Sequence, residues 1–282
     1  MSRTRAGATM SAVVALVLVG VGLAWWGRSP GVTPSVRIEE PSAAQLRAVA
    51  GTRVLFGHQS VGANVLDGVP AVYDAAGVAA PQVVETRSPV TSGGGYLAHT
   101  YVGHNGDPVG KLADFTRVLD GPLGDQVDVA MVKLCYVDID ATTDVDMVFD
   151  AYVRTMADLA ARHPSIRFLY TTVPLTADRG LKERLKAALG RGDRMGPEDN
   201  RARQRYNERI RERFGGTGRL FDIAAVESTL LQGTPTRRGS GEGAYYVLND
   251  NLRSDRGHLN PRGAQAAAAE LVRVVAANAP AA

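Results

Sequence analysis

Three side chains in this 282-residue chain have the types that acyl-transfer chemistry demands. Ser60 stands in "GHQSVG" (57–62), between glycines and directly after the apolar run "RVLFG" (53–57). Asp255 and His258 stand in "SDRGHLNPRGA" (254–264), close to the end of the chain. A serine hydroxyl is a weak nucleophile until a base takes its proton. His258 can be that base, and Asp255, three residues earlier, can curl back to fix the imidazole tautomer and stabilise the imidazolium. One loop thereby supplies both groups. Asn260 as N-cap and Pro261 at the first helical position put that loop just ahead of a final helix running to about Ala277.

These residues need a scaffold, and its elements are legible. Strand-length apolar runs occur at 53–57, "QVVET" (82–86), "VDVAMVKL" (127–134), "IRFLYTTV" (166–173) and "RLFDIA" (219–224), separated by amphipathic stretches. Near-continuous apolar strands alternating with helices predict a parallel sheet covered on both faces, a five-stranded three-layer α/β/α sandwich. Between the third and fourth runs, "DMVFDAYVRTMADLAARH" (146–163) sets Val148, Tyr152, Met156 and Leu159 on one helical face and stops before Pro164. Ligands of such sheets bind beyond the carboxyl ends of the strands. The turn holding Ser60 falls at such an end, where a helix N-terminus favours negative charge.

The "FG-x-x-S" turn after the first strand and the D-x-x-H pair before the last helix resemble the SGNH/GDSL hydrolase family, over most of residues 50–280. "FDIAAVES" (221–228) is similar to that family's approach to its last block. The resemblance implies a flavodoxin-like sandwich that hydrolyses esters, often O-acetyl or acyl groups on sugars and lipids. It implies Ser60 as nucleophile, His258 as general base and then acid, and Asp255 as its partner. Two blocks depart from the family. His58 stands where the first block has aspartate, with Gln59 as an extra residue before Ser60, and "KLCYVD" (133–138) replaces the third block, Gly-x-Asn-Asp. An oxyanion hole then needs other donors, and the candidates are Asn105 in "GHNGDP", the Ser60 N–H, and a backbone N–H of the Gly93-Gly94-Gly95 triplet, Gly94 above all.

His58 and His104 are candidates either to line the pocket and contact substrate or to be loop histidines bonded to backbone. Cys135, at a strand end between Leu134 and Tyr136, reads as packing. Lys133 interrupts an apolar strand, and an ion pair with a nearby aspartate explains it best. Two other functions use the same residues. His58, His104, Asp107, Asp255 and His258 have the ligand types for zinc or manganese in phosphoester hydrolysis, although no short ligand motif organises them. A hydrolase-like module that binds glycans without chemistry is the third reading. The serine-hydrolase reading calls for no cofactor and no metal.

Composition narrows the partners. A formal charge of +3, with 45% hydrophobic and 22% charged residues, gives no reason to expect nucleic acid. A single cysteine excludes an intramolecular disulfide framework and a cysteine-based zinc cluster. At the N-terminus "MSRTR" (1–5) precedes an apolar run over 6–26 that ends in Trp25 and Trp26, which reads as a signal anchor with a cytoplasmic tail and an exported domain. Gly22-Leu23-Ala24 offers a cleavage site as the alternative, and either way the domain is exported. Residues 27–45, with Pro30, Gly31, Pro34 and Pro41, read as a linker to a domain over 46–282. The substrate expected there is an acylated carbohydrate or lipid of the cell envelope, with the membrane itself held through the N-terminal helix. Residues 178–213 are dense in charge with basic residues in excess, either a solvated helical excursion or a face for anionic headgroups or an acidic polymer.

Overall fold

Every position of β1 (Arg53–His58) after Arg53 is buried, and alternation sends Val54 and Phe56 into one core and Leu55 into the other. The computed structural model describes residues 39–190, 192–229, 235–240 and 243–280. The expected tail, anchor and most of the linker lie outside the described residues. β1 is central in a five-stranded sheet with β2 (Gln82–Glu85), β3 (Tyr96–Tyr101), β4 (Val129–Val132) and β5 (Arg167–Phe168), ordered β2-β3-β1-β4-β5. All four pairings are parallel: from β1 the chain passes to the edge strand β2, returns to β3 beside β1, and then crosses to β4 and outward to β5 on the other side. The carboxyl ends of β1, β3 and β4 therefore form one edge.

In chain order the helices are α1 (Ala43–Ala50), α2 (Ser60–Asp67), α3 (Val69–Ala75), α4 (Pro108–Leu119), α5 (Val145–Arg162), α6 (Leu181–Ala188), α7 (Pro197–Phe214), α8 (Ile223–Ser228) and α9 (Pro261–Ala276). α1, α2, α3, α8 and α9 contribute to the core under Phe56 and Met131. α4, α5 and α7 contribute to the core on the opposite face, under Leu55 and Ala130. This is the expected three-layer α/β/α sandwich. Among the described residues the buried members of both cores lie between Leu46 and Val275, so the chain from residue 39 onward carries all of them. The helix signals also hold: α5 buries Val148, Tyr152, Met156 and Leu159, and Asn260 caps α9 by accepting from the Gly263 N–H at 2.9 Å. Among the described residues no helix is long and apolar enough to cross a membrane.

Four expectations need correction. "YLAHTY" forms β3, the neighbour of β1, although its alternating small and polar residues gave no apolar run. The run at 166–173 is broken at Leu169. Its N–H donates to Ala130 O, after which the Tyr170 N–H donates to Arg219 O, so β6 (Tyr170–Thr171) pairs in parallel with β7 (Leu220–Phe221) in a separate two-stranded sheet. The run at 219–224 stops early because Asp222 caps α8 through the Ala225 N–H. α1 also starts ahead of Leu46, where Ser42 and Gln45 exchange the two hydrogen bonds of a capping box.

Gly57 marks where β1 and α4 approach too closely for a side chain: a Cβ there would lie 2.6 Å from Phe115 Cδ2. Gly57→Ala is expected to lower unfolding free energy by about 1–3 kcal/mol through overpacking. Guanidinium titration measures it, and an unchanged midpoint would refute this packing.

Candidate active site

α2 begins at Ser60, so the serine sits on the first turn of a helix at the carboxyl end of β1. Gln59, the extra residue of the turn, is extended, and its Nε2 donates to the carbonyls of Val102 at 2.8 Å and Gly103 at 3.2 Å. It ties the Ser60 turn to the loop that follows β3. Gly62 permits the turn, since a Cβ there would lie 2.3 Å from His58 Cβ.

His58 itself is fully buried, so it neither lines a pocket nor meets substrate. Its Nδ1 lies 2.8 Å from Gln59 O and its Nε2 lies 3.0 Å from His99 Nδ1. A carbonyl can only accept, so Nδ1 carries the proton and Nε2 accepts from His99. Burial first, and then the charges of Lys133 and His99, push its pKa down to about 3 against the opposing bond to Gln59 O. The ring is a neutral floor under the turn.

From the far end of the chain, His258 Nε2 reaches to 3.0 Å from Ser60 Oγ. His258 Nδ1 lies 2.8 Å from Asp255 Oδ2, which fixes the proton on Nδ1 and leaves Nε2 to accept from the serine hydroxyl. Asp255 Oδ1 also accepts from the backbone N–H groups of Gly257 at 2.7 Å and His258 at 2.9 Å, closing the loop on itself. Burial raises its pKa, but the bonds from Gly257 and His258 outweigh that and hold the carboxyl below its ordinary value. With the Asp255 side chain 60% exposed and that of His258 30% exposed, water screens the pair.

The loop is braced on all sides. Leu259 N–H donates to Asn64 Oδ1 on α2 at 3.3 Å, and Asn260 Nδ2 donates to Asn251 O at 3.0 Å. The Tyr136 ring stands edge-on to His258 with centroids 6.0 Å apart, and Gly257 is pressed against it, with room for no Cβ. Arg203, fully buried on α7, holds the Tyr136 carbonyl at 2.8 Å. Sequence reasoning passed over both. Tyr136 follows β4 at the carboxyl edge and was findable there, whereas nothing separates Arg203 from its solvated neighbours in the basic segment.

Asn105 lies on the same edge, beyond β3. Its Oδ1 accepts from Lys111 Nζ at 2.8 Å, which leaves its amide NH2 to donate. Lys111 also pairs at 2.7 Å with Asp138, both side chains fully buried, and Asp138 takes the N–H groups of Gly106 at 2.8 Å and Cys135 at 2.6 Å. One carboxylate thus joins the loops after β3 and β4. Gly94 is elsewhere: it precedes β3, and the register pairs Tyr96 with Arg53, at the amino end of the strands. At about 3.3 Å per residue that is roughly 20 Å from Ser60, too far to donate.

His104 is exposed beside a cavity lined by Tyr101, Asp107 and Arg117. Among the described residues Lys133 makes no ion pair with an aspartate, and Asp138 pairs with Lys111 instead. Lys133 donates only to Leu134 O at 3.3 Å among the described residues, and burial pushes its pKa down. Nearby Glu227, pushed up to about 8 by burial, accepts from the Leu175 N–H. Among the described residues no three His, Cys, Asp or Glu side chains gather as a metal site, and both nitrogens of His58 are engaged.

No family model matches the chain, and no curated protein does. Among solved structures, a chain from Streptococcus pneumonia named for platelet activating factor is 16% identical, with 91% of this chain and 97% of that one covered and a TM-score of 0.45. The periplasmic domain of a lipopolysaccharide acetyltransferase from Salmonella ser. Paratyphi A is 12% identical, with 82% of each chain covered and a TM-score of 0.41.

His58 gives a pH signature. Its unfolded form takes a proton near 6.5 and its folded form only near 3, so stability is lost as pH falls through that window. The loss approaches about 1.4 kcal/mol per pH unit. Denaturation from pH 7 to 4 should show this slope in the parent and a flatter one in His58→Gln. Equal slopes would mean that His58 charges freely when folded.

Proposed function

We propose that the chain is a serine ester hydrolase of the esterase or acetylesterase type, with Ser60 as nucleophile, His258 as base and Asp255 as orienting acid. What supports the reading is the continuous relay from Asp255 through Nδ1 and Nε2 of His258 to Ser60 Oγ, at 2.8 and 3.0 Å. Ser60 Oγ attacks the ester carbonyl carbon while its proton passes to His258 Nε2. The tetrahedral oxyanion is met by the Ser60 N–H, which has no partner within its own helix, and by the amide of Asn105. On collapse the C–O bond to the alcohol breaks and His258 returns the proton to the leaving oxygen. Water then attacks the acyl-serine, His258 takes its proton, and the acid leaves as Ser60 is restored.

The substrate is an O-acylated carbohydrate or lipid of the cell envelope, reached by an exported domain tethered through residues 6–26. That part rests on the apolar run and the basic residues before it. Turnover of p-nitrophenyl acetate and longer esters is the test. Ser60→Ala and His258→Ala should each lower kcat on the order of a thousandfold or more, with little additional loss in the double variant, because the pair acts as a unit. Folded protein without serine-dependent turnover at any acyl length would overturn the proposal.

A further inference from the structure

The three most exposed large apolar side chains among the described residues all belong to one short segment. Leu181 is 87% exposed, Leu185 63% and Leu189 70%, and α6 buries no residue at all. Spaced by four, the leucines fall within an arc of about 80° on the helix. Lys182 and Arg184 flank that arc on either side, Lys186 follows next to Lys182, and all three are exposed. Glu183 and Ala187, on the opposite side, are the partly covered positions, so the leucine face points away from the domain.

α6 is anchored at its feet. Arg179 before it reaches Asp193 after it at 3.2 Å, and Arg256 of the loop that carries His258 pairs with the same Asp193. Arg179 also holds Glu198 of α7 at 2.6 Å. The helix therefore rises from the carboxyl edge of the sheet, on a base shared with that loop. Lys182 and Lys186 make no ion pair among the described residues, so their charge is not spent within the domain.

We propose that α6 docks this domain on an anionic lipid bilayer, its leucines entering the headgroup boundary and its lysines and arginine meeting lipid phosphates. An apolar stripe bordered by cations is the composition of a helix that lies in a membrane interface. Three leucines facing water have no counterpart elsewhere on the described surface. Binding by α6 does not depend on whether Ser60 reacts.

The test is sedimentation of residues 39–282 with vesicles of phosphatidylglycerol and phosphatidylcholine in equal parts, and of phosphatidylcholine alone. This piece omits the apolar run 6–26, which would bind by itself, and keeps the buried members of both cores. The parent should sediment with the anionic vesicles and weakly with the neutral ones. Combined Leu181→Ser, Leu185→Ser and Leu189→Ser should cut partitioning on the order of tenfold or more, and Lys182→Glu with Lys186→Glu should abolish the preference for anionic lipid. Thermal midpoints of the variants should match the parent, since the helix buries nothing. A parent that stays in the supernatant at low salt, a serine variant that sediments equally, or a leucine-dependent dimer that ignores vesicles would each overturn the proposal.

Discussion

The hydrogen bond from Ser60 to His258 Nε2 joins residues 198 positions apart, and the surrounding architecture can be read as what that bond requires. Both groups must reach one edge of the sheet, which a parallel sheet provides by ending its strands together. The serine is fixed by a turn that buries His58, threads Gln59 into the neighbouring loop and allows no side chain at position 62. The histidine is fixed from three directions: Asn64 on α2, Asn260 capping α9, and Tyr136 at the end of β4. Helix capping, an event of local backbone chemistry, is thereby coupled to the geometry of the site.

Under that edge lies an unusual density of buried polar groups, each handled differently. Lys111 and Asp138 are paired and further bonded to backbone and to Asn105, which offsets much of the cost of removing two charges from water. Arg203 finds acceptors in Tyr136 O, Thr176 and Asn200. His58 avoids the cost by remaining neutral. Burial favours the uncharged forms of Lys133 and Glu227 as well, the amine shifted down and the carboxyl up. Networks in which each member is bonded or neutral hold loops in one arrangement, and two of the loops held here carry Asn105 and Tyr136.

Much of this scaffold was legible because it follows from local rules. The period of α5, the cap of α9 and the spacing of Asp255 and His258 are statements about neighbouring residues. β3 was not legible, since "YLAHTY" offers no apolar run and owes its burial to lying between β1 and β2. Missing that strand misplaced Gly94, a candidate oxyanion donor that instead lies in the turn before β3, at the amino end of the strands. Lys133 was misread for a related reason, and of the two readings of His58 its type could not choose the one that holds, a ring bonded to backbone. Residue type announces a polar group, but only tertiary contacts tell whether it faces solvent, a partner or a neutral burial site.

The proposed activation of Ser60 by His258 is open to a direct chemical measurement. Treating folded protein with a fluorophosphonate probe and mapping the modified peptide measures this directly. The predicted result is a single adduct on Ser60, forming on the order of a hundredfold or more slowly in His258→Ala. A folded protein that leaves Ser60 unmodified, or whose labelling rate is indifferent to His258, would contradict it.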